Sequence, residues 1–169
     1  MLDQELSAEL LQMMAEQKEL MSRTGGGAVG PVQPETKREQ REVFVRHADR
    51  LKEILDVHGW PTADAVGPDA ARGAWLIAQH ADTQVDVQRT AVRLLRLAAD
   101  AGTATLADLA YLEDRLAVNE GRHQVYGTQI ADVVNGEPVL WPCADPSRLD
   151  ERRASVGLEP FADHIARFR

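Results

Sequence analysis

Several things are scarce in this chain of 169 residues. It has one cysteine, Cys143, so no disulfide forms within the chain, and a reducing compartment suits it. Cys143 reads as a small half-buried residue near a loop rather than a nucleophile, because no base is recognisable beside it. No apolar run reaches the roughly 20 residues that span a bilayer. Basic residues are in deficit, with 19 Lys and Arg against 27 Asp and Glu and a formal net charge of -8. That balance works against a nucleic-acid partner, since phosphate contacts need an excess of cations. It also works against docking on anionic lipid. The N-terminus opens with Asp3 and Glu5 and lacks the basic start of a secretory signal, so a cytoplasmic protein is expected.

The motifs of the better-known chemistries are missing too. The glycine-rich stretch at Thr24–Pro34 follows a helix and lacks the Lys-Ser/Thr ending of a P-loop. There is no HExxH pair, and no serine sits in a G-x-S-x-G elbow. No repeat of solenoid length is evident. These absences predict neither cofactor nor resident metal.

What is present predicts a mainly α protein. One helical domain of five to seven helices carries a small β-hairpin near residues 128–141. Residues 1–23 hold an amphipathic helix with Leu6, Leu10, Met13 or Met14, Lys18 and Met21 along one stripe. Residues 24–34 read as a flexible linker, and residues 35–169 as the core domain. Separated by glycines, the N-terminal helix is expected to be dispensable for folding, or to serve as a lid or homodimer contact. A helix at 35–57 sets an apolar stripe of Val43, Leu51, Ile54 and Leu55 beside Arg46, His47 and Arg50, with His47 at the surface. Gly59 and Pro61 end it. A helix opening at Gly67-Pro68-Asp69 is apolar nearly all round and hence buried. Asp82-Thr83 caps the next, roughly 84–100, with Ala91, Val92, Leu95, Leu97 and Ala98 as its core stripe. In the helix at 106–118, Leu106, Leu109, Leu112 and Leu116 face one way and Tyr111, Asp114, Arg115 and Val118 the other. Asn135-Gly136 is the turn of the hairpin. A charged helix at about 146–155 and a short one at 160–168 complete the chain.

The polar residues are concentrated. Tyr111 to Gln129 reads YLEDRLAVNEGRHQVYGTQ, and its Tyr111, Asp114, Arg115, Gln124, Tyr126, Thr128 and Gln129 are expected to form one wall of a polar pocket. Trp75, Gln79, His80 and Gln88 are expected to form the other. Gln88 shares a face with Ala91, Val92 and Leu95, where an amide needs a partner.

His80 is the leading acid–base candidate, since it ends a buried helix and imidazole titrates near neutrality. Asp82 or Asp114 would orient its ring, and Tyr126 or Tyr111 would act as a second acid. Trp75, Gln79, Gln88, Arg115, Gln124, Thr128 and Gln129 would bind substrate. Against this stands a histidine merely satisfied at a helix end, and a Thr128 bonded to backbone in a turn. His58, His80, Asp82 and His123 would be the ligands of a metal, although none has the spacing of a helix motif. Arg152-Arg153 would suit an anionic group, but a pair beside Asp150 and Glu151 reads more simply as a solvated salt-bridge face.

HGWP at 58–61, AWLIAQHAD at 74–82, YLEDRLAVNEGRHQVYGTQ at 111–129 and DERRASVGLEP at 150–160 together resemble a bacterial family known as a domain of unknown function. The likeness spans about residues 40–165, and the glycines at 25–30 depart from its pattern. It implies a shared pocket and no particular activity. The residues themselves point to a small cofactor-independent enzyme acting by acid–base chemistry on a polar small molecule or modified peptide, by hydrolysis, elimination or cyclisation. The alternatives are a non-catalytic binding, immunity or adaptor protein, and a metal-dependent enzyme using His80 and Asp82.

Overall fold

The computed structural model describes residues 2–24 and 33–169. Most of the predicted glycine-rich linker lies outside the described residues. The fold is mainly helical with one antiparallel hairpin. Eight α-helices are present among the described residues rather than five to seven, the surplus coming from short elements. The chain divides into two compact units, residues 1–104 and 105–169.

The first unit contains α1 (Gln4–Arg23), α2 (Pro34–His58), α3 (Ala63–Val66), α4 (Pro68–Gln79) and α5 (Val85–Asp100). Asp3 caps α1 by accepting the Leu6 N–H at 3.0 Å. Leu6, Leu10, Met13, Gln17 and Leu20 are its buried residues. The stripe therefore runs through Gln17 and Leu20, not through Lys18 and Met21 as the sequence suggested. The three-four spacing 6, 10, 13, 17, 20 is satisfied by an amide in a leucine's place, and an apolar count alone passes over it.

Helices α1 and α4 approach closely. A Cβ built on Gly73 would stand 2.9 Å from the Leu10 carbonyl oxygen and 3.3 Å from Met14 Cβ. Glycine lets the two backbones meet there. Helix α4 is buried along Ala70, Gly73, Ala74, Trp75, Ile77, Ala78 and Gln79, as its composition implied. Short α3 had no periodic signal.

Helix α2 buries Val43, His47, Ala48, Leu51, Ile54 and Leu55. His47 is therefore not a surface residue. It sits one turn before Leu51 on the buried face, with its Nε2 2.9 Å from Glu16 Oε2. In α5 the core positions are Val87, Gln88, Ala91, Val92, Leu95 and Ala98, while Leu97 is 57% exposed and leaves the predicted stripe. The N-cap of α5 is Gln84, whose side chain reaches the Val45 carbonyl, so Asp82-Thr83 does not cap this helix.

The second unit contains α6 (Leu106–Asn119), β1 (Ile130–Val134), β2 (Glu137–Leu140), a 3-10 turn (Pro146–Arg148), α7 (Leu149–Ser155) and α8 (Phe161–Ala166). Thr105 caps α6 by accepting the Asp108 N–H at 3.0 Å. Leu109, Leu112 and Leu116 are buried, but Leu106, in the open first turn, is 47% exposed. The hairpin pairs Val134 with Glu137 and Val133 with Pro138, and a bulge lies between Ile130 and Asp132. Its turn places Asn135 and Gly136 at φ 52° and 81°. Both central residues are left-handed, as a two-residue hairpin loop with strand-matching twist requires. The charged helix begins as a 3-10 turn and becomes α-helical at Leu149. No described helix is long and apolar enough to cross a membrane.

Candidate functional site

The residues singled out in the sequence fall in both units. Trp75, Gln79, His80 and Gln88 belong to the first. Tyr111, Asp114, Arg115, Gln124, Tyr126, Thr128 and Gln129 belong to the second.

In the first unit, His80 is the C-cap of α4, and its own N–H bonds back to the Leu76 and Ile77 carbonyls. Its ring Nδ1 lies 2.7 Å from Oε1 of Gln17 on α1, a side chain with no exposed surface. Phe44 of α2 stacks on the ring at 4.7 Å with planes 3° from parallel. Three helices thus fix one imidazole ring: α4 carries it, α1 bonds it and α2 holds its face. Gln88, fully buried on α5, donates to the Ala78 carbonyl at 3.1 Å and reaches the Gln79 carbonyl and Asp82 Oδ1 at 3.5 Å. It satisfies orphan carbonyls of the last turn of α4, which supplies the partner its apolar face demanded. Trp75 is buried, with the Arg72 guanidinium 3.8 Å from its ring centroid. Gln79 and Gln17 each bury an Nε2 with no hydrogen-bond partner.

A second feature of this unit is a groove of about 430 Å³ lined by Glu9, Gln12, Met13, Glu16, Arg46, His47 and Arg50. Its charges are paired: Glu9 with Arg50 at 2.6 Å and Glu16 with Arg46 at 2.7 Å. The Arg50 hydrogen bond holds the Glu9 carboxyl below its ordinary value. Burial pushes the His47 imidazole below its ordinary value, and Glu16 opposes that shift.

In the second unit, Asp114 organises the loop after α6. Its Oδ1 accepts the N–H groups of Val125 at 2.7 Å and Tyr126 at 3.0 Å. Its Oδ2 accepts the Thr128 N–H and the Thr128 hydroxyl, each at 3.0 Å. Gln124, also without exposed surface, donates to the Gln129 and Trp141 carbonyls and accepts the Gln129 N–H at 2.9 Å. Arg115 donates to Gln129 Oε1 at 3.1 Å, and Gln129 Nε2 to the Thr128 hydroxyl at 3.0 Å. The structure therefore brings Asp114, Arg115, Gln124, Tyr126, Thr128 and Gln129 into one hydrogen-bonded group. Tyr111 joins it through its carbonyl, 3.5 Å from Gln129 Nε2.

The Arg152-Arg153 pair is not a solvated face. Arg153 has no exposed surface and donates to the Glu159 and Tyr126 carbonyls at 2.6 and 2.7 Å. Arg152 donates to the Val125 carbonyl at 2.8 Å and also bonds the Ala144 carbonyl. Cys143 is half-buried, and burial raises its thiol above the ordinary value. Among the described residues no group of three His, Cys, Asp or Glu is placed to hold a metal.

Sequence reasoning passed over Gln17 and His164. The signal for Gln17 was its register between Met13 and Leu20 in α1. That for His164 was its spacing from Phe161 and Phe168, which puts three rings on one side of the C-terminal helix.

No curated protein and no solved structure matches the chain. A family model does, over residues 4–169, and so takes in α1 as well as the motif-bearing region. With nearly its whole length matched, the chain belongs to DUF6624, a family of unknown function.

Proposed function

We propose that this chain is a small enzyme that works by acid–base chemistry without a cofactor, on a polar small molecule or modified peptide, with His80 as its base. The observation that carries this reading is the 2.7 Å contact between His80 Nδ1 and Gln17 Oε1. An amide oxygen accepts from a ring N–H, so Nδ1 carries the proton and the lone pair falls on Nε2. A buried acceptor that fixes tautomer and ring plane is what a histidine base requires. The stacked Phe44 ring removes the remaining rotation. Histidine at such a position takes a proton from substrate and returns it to a leaving group, which suits hydrolysis, elimination or cyclisation.

The second unit supplies a donor set of its own. Arg115 and Gln129 suit a carboxylate or amide, and Tyr126 a proton-donating role. Asp114, with both oxygens engaged by the loop, acts in this reading as the residue that positions Tyr126 and Thr128.

A second reading, a non-catalytic binding, immunity or adaptor protein, is favoured by the same engagement. Asp114 and Gln124 spend their polar atoms on the loop, as a structural network does. Incubation with fractionated small-molecule and peptide extracts, followed by mass spectrometry, separates the two. The enzyme reading expects a component consumed by the native chain and left intact by His80→Asn. A component retained unchanged by both proteins supports the binding reading.

A further inference from the structure

The side chain most at odds with its surroundings is Arg153 on α7, the largest fully buried one among the described residues. Its Nε and Nη1 donate to the carbonyls of Glu159 and Tyr126, while Nη2 is buried with no partner. Neutral carbonyls orient a guanidinium but do not neutralise it. The nearby carboxylates bond other groups, buried Asp114 among them, whose oxygens accept the N–H groups of Val125, Tyr126 and Thr128. Glu159 bonds Arg167 and stands 3.8 Å from His164 Nδ1, and Asp150 caps α8 by accepting the Phe161 N–H at 2.7 Å. A buried charge without a counter-charge is costly, and burial is usually accompanied by an ion pair.

Beside it lies a second buried group with donors to spare. His164 on α8 is 3% exposed, and neither ring nitrogen makes a hydrogen bond within geometric limits. Phe161 ties the two together, with its ring centroid 5.9 Å from the Arg153 guanidinium and 6.4 Å from the His164 ring. Tyr111 and Phe168 enclose the imidazole edge-on at 6.2 and 5.4 Å. The result is an aromatic-walled centre holding one guanidinium that makes no direct ion pair and one histidine.

We propose that Arg153 and His164 form a binding site for a small oxyanion, a carboxylate or phosphate group, covered by α8. Nη2 donates one charge-assisted bond and the imidazole another, the pairing that oxyanion recognition uses. The cover is six residues long, and its C-cap residue Arg167 pairs with Glu159. Burial and the Arg153 charge hold the His164 imidazole below its ordinary value, while Glu159 and the Thr128 carbonyl oppose them. Arg167, the C-cap residue of α8, adds to the lowering. A bound anion counters the arginine charges, so binding draws a proton onto His164. This site is independent of His80 and of the reading given to it.

The test uses the full chain titrated with inorganic phosphate and, separately, acetate, against chloride at constant ionic strength. Thermal melting and the His164 ring resonances are read together. The expected result is a saturable rise in melting temperature with phosphate or acetate but not chloride, and movement of the His164 resonances over the same concentrations. Phosphate alone or acetate alone identifies the oxyanion. Arg153→Lys keeps the charge but loses the Nη2 donor, so binding should weaken roughly tenfold, the equivalent of one charge-assisted bond. His164→Gln gives an independent check if the lysine variant does not fold. A response shared by chloride, His164 resonances that stay still, or undiminished binding by a folded variant would overturn the proposal.

Discussion

Replacing Asp114 tests how much of the second unit's loop depends on one carboxylate. Its side chain has no exposed surface and accepts from three backbone N–H groups, those of Val125, Tyr126 and Thr128, and from the Thr128 hydroxyl. Asp114→Ala removes every acceptor at once. Each buried donor left unpaired costs about 1–3 kcal/mol. The Thr128 N–H is buried, whereas Val125 and Tyr126 are half-exposed and take up water in part. The three amides together then cost about 3–5 kcal/mol, a large fraction of the roughly 5–15 kcal/mol that holds a domain folded. Asp114→Asn should cost less. With its NH2 in the Oδ2 position, the Thr128 hydroxyl reverses and accepts, and the Thr128 N–H alone is orphaned, at about 1–3 kcal/mol. Urea denaturation of the three proteins, followed by circular dichroism and by tryptophan fluorescence, should rank them native, Asn, Ala. An alanine variant within about 1 kcal/mol of native would refute the loop-organising role, since that is the value of a single ordinary hydrogen bond.

Other outcomes follow from the first unit and from the buried histidines. Gly73→Ala should destabilise by about 1–3 kcal/mol through overpacking, although the same change in an open helix stabilises; a raised melting temperature would contradict the close approach of α1 to α4. Removing residues 1–24 should abolish cooperative unfolding of the first unit, reversing the expectation drawn from the glycine-rich stretch. Leu6, Leu10, Met13 and Leu20 are all buried, and at about 1.5–3 kcal/mol each they account for about 6–12 kcal/mol. Stability should fall as pH drops below about 6.5. His47 and His164 are held below their ordinary values, so the unfolded chain binds protons first and low pH favours it. His47→Gln with His164→Gln should flatten that slope in melting curves taken between neutral and mildly acid pH.

Helix ends, the hairpin turn and the apolar face of α4 were legible because each rests on local chemistry. Pro68 at a helix start, Asn135-Gly136 between β-like runs and an alanine-rich helix act within a few residues. Polar residues inside apolar stripes were harder to place. Gln88 showed itself, since an amide between Val87 and Ala91 has no solvent to turn to. Gln17 did not, because Lys18 and Met21 offered an alternative phase for α1, and only α4 and its His80 decide between them. By charge alone, His47 and Arg153 read as exposed. Their burial depends on Glu16, thirty-one residues away, and on carbonyls of Tyr126 and Glu159, which no local pattern announces. Asp114 was recognised as a residue with a task, but a carboxylate that orients a base and one that gathers backbone N–H groups look alike until the loop is in view.

The central claim is that Gln17 holds His80 with the proton on Nδ1 and the lone pair on Nε2. Nitrogen-15 chemical shifts of the His80 ring report the tautomer directly, without knowledge of the substrate. At a pH where the ring is neutral, the native chain should show a protonated Nδ1 and an unprotonated Nε2, and Gln17→Leu should move the population toward the opposite form. A native ring protonated on Nε2, or a tautomer unchanged by Gln17→Leu, would contradict the assignment of His80 as an oriented base.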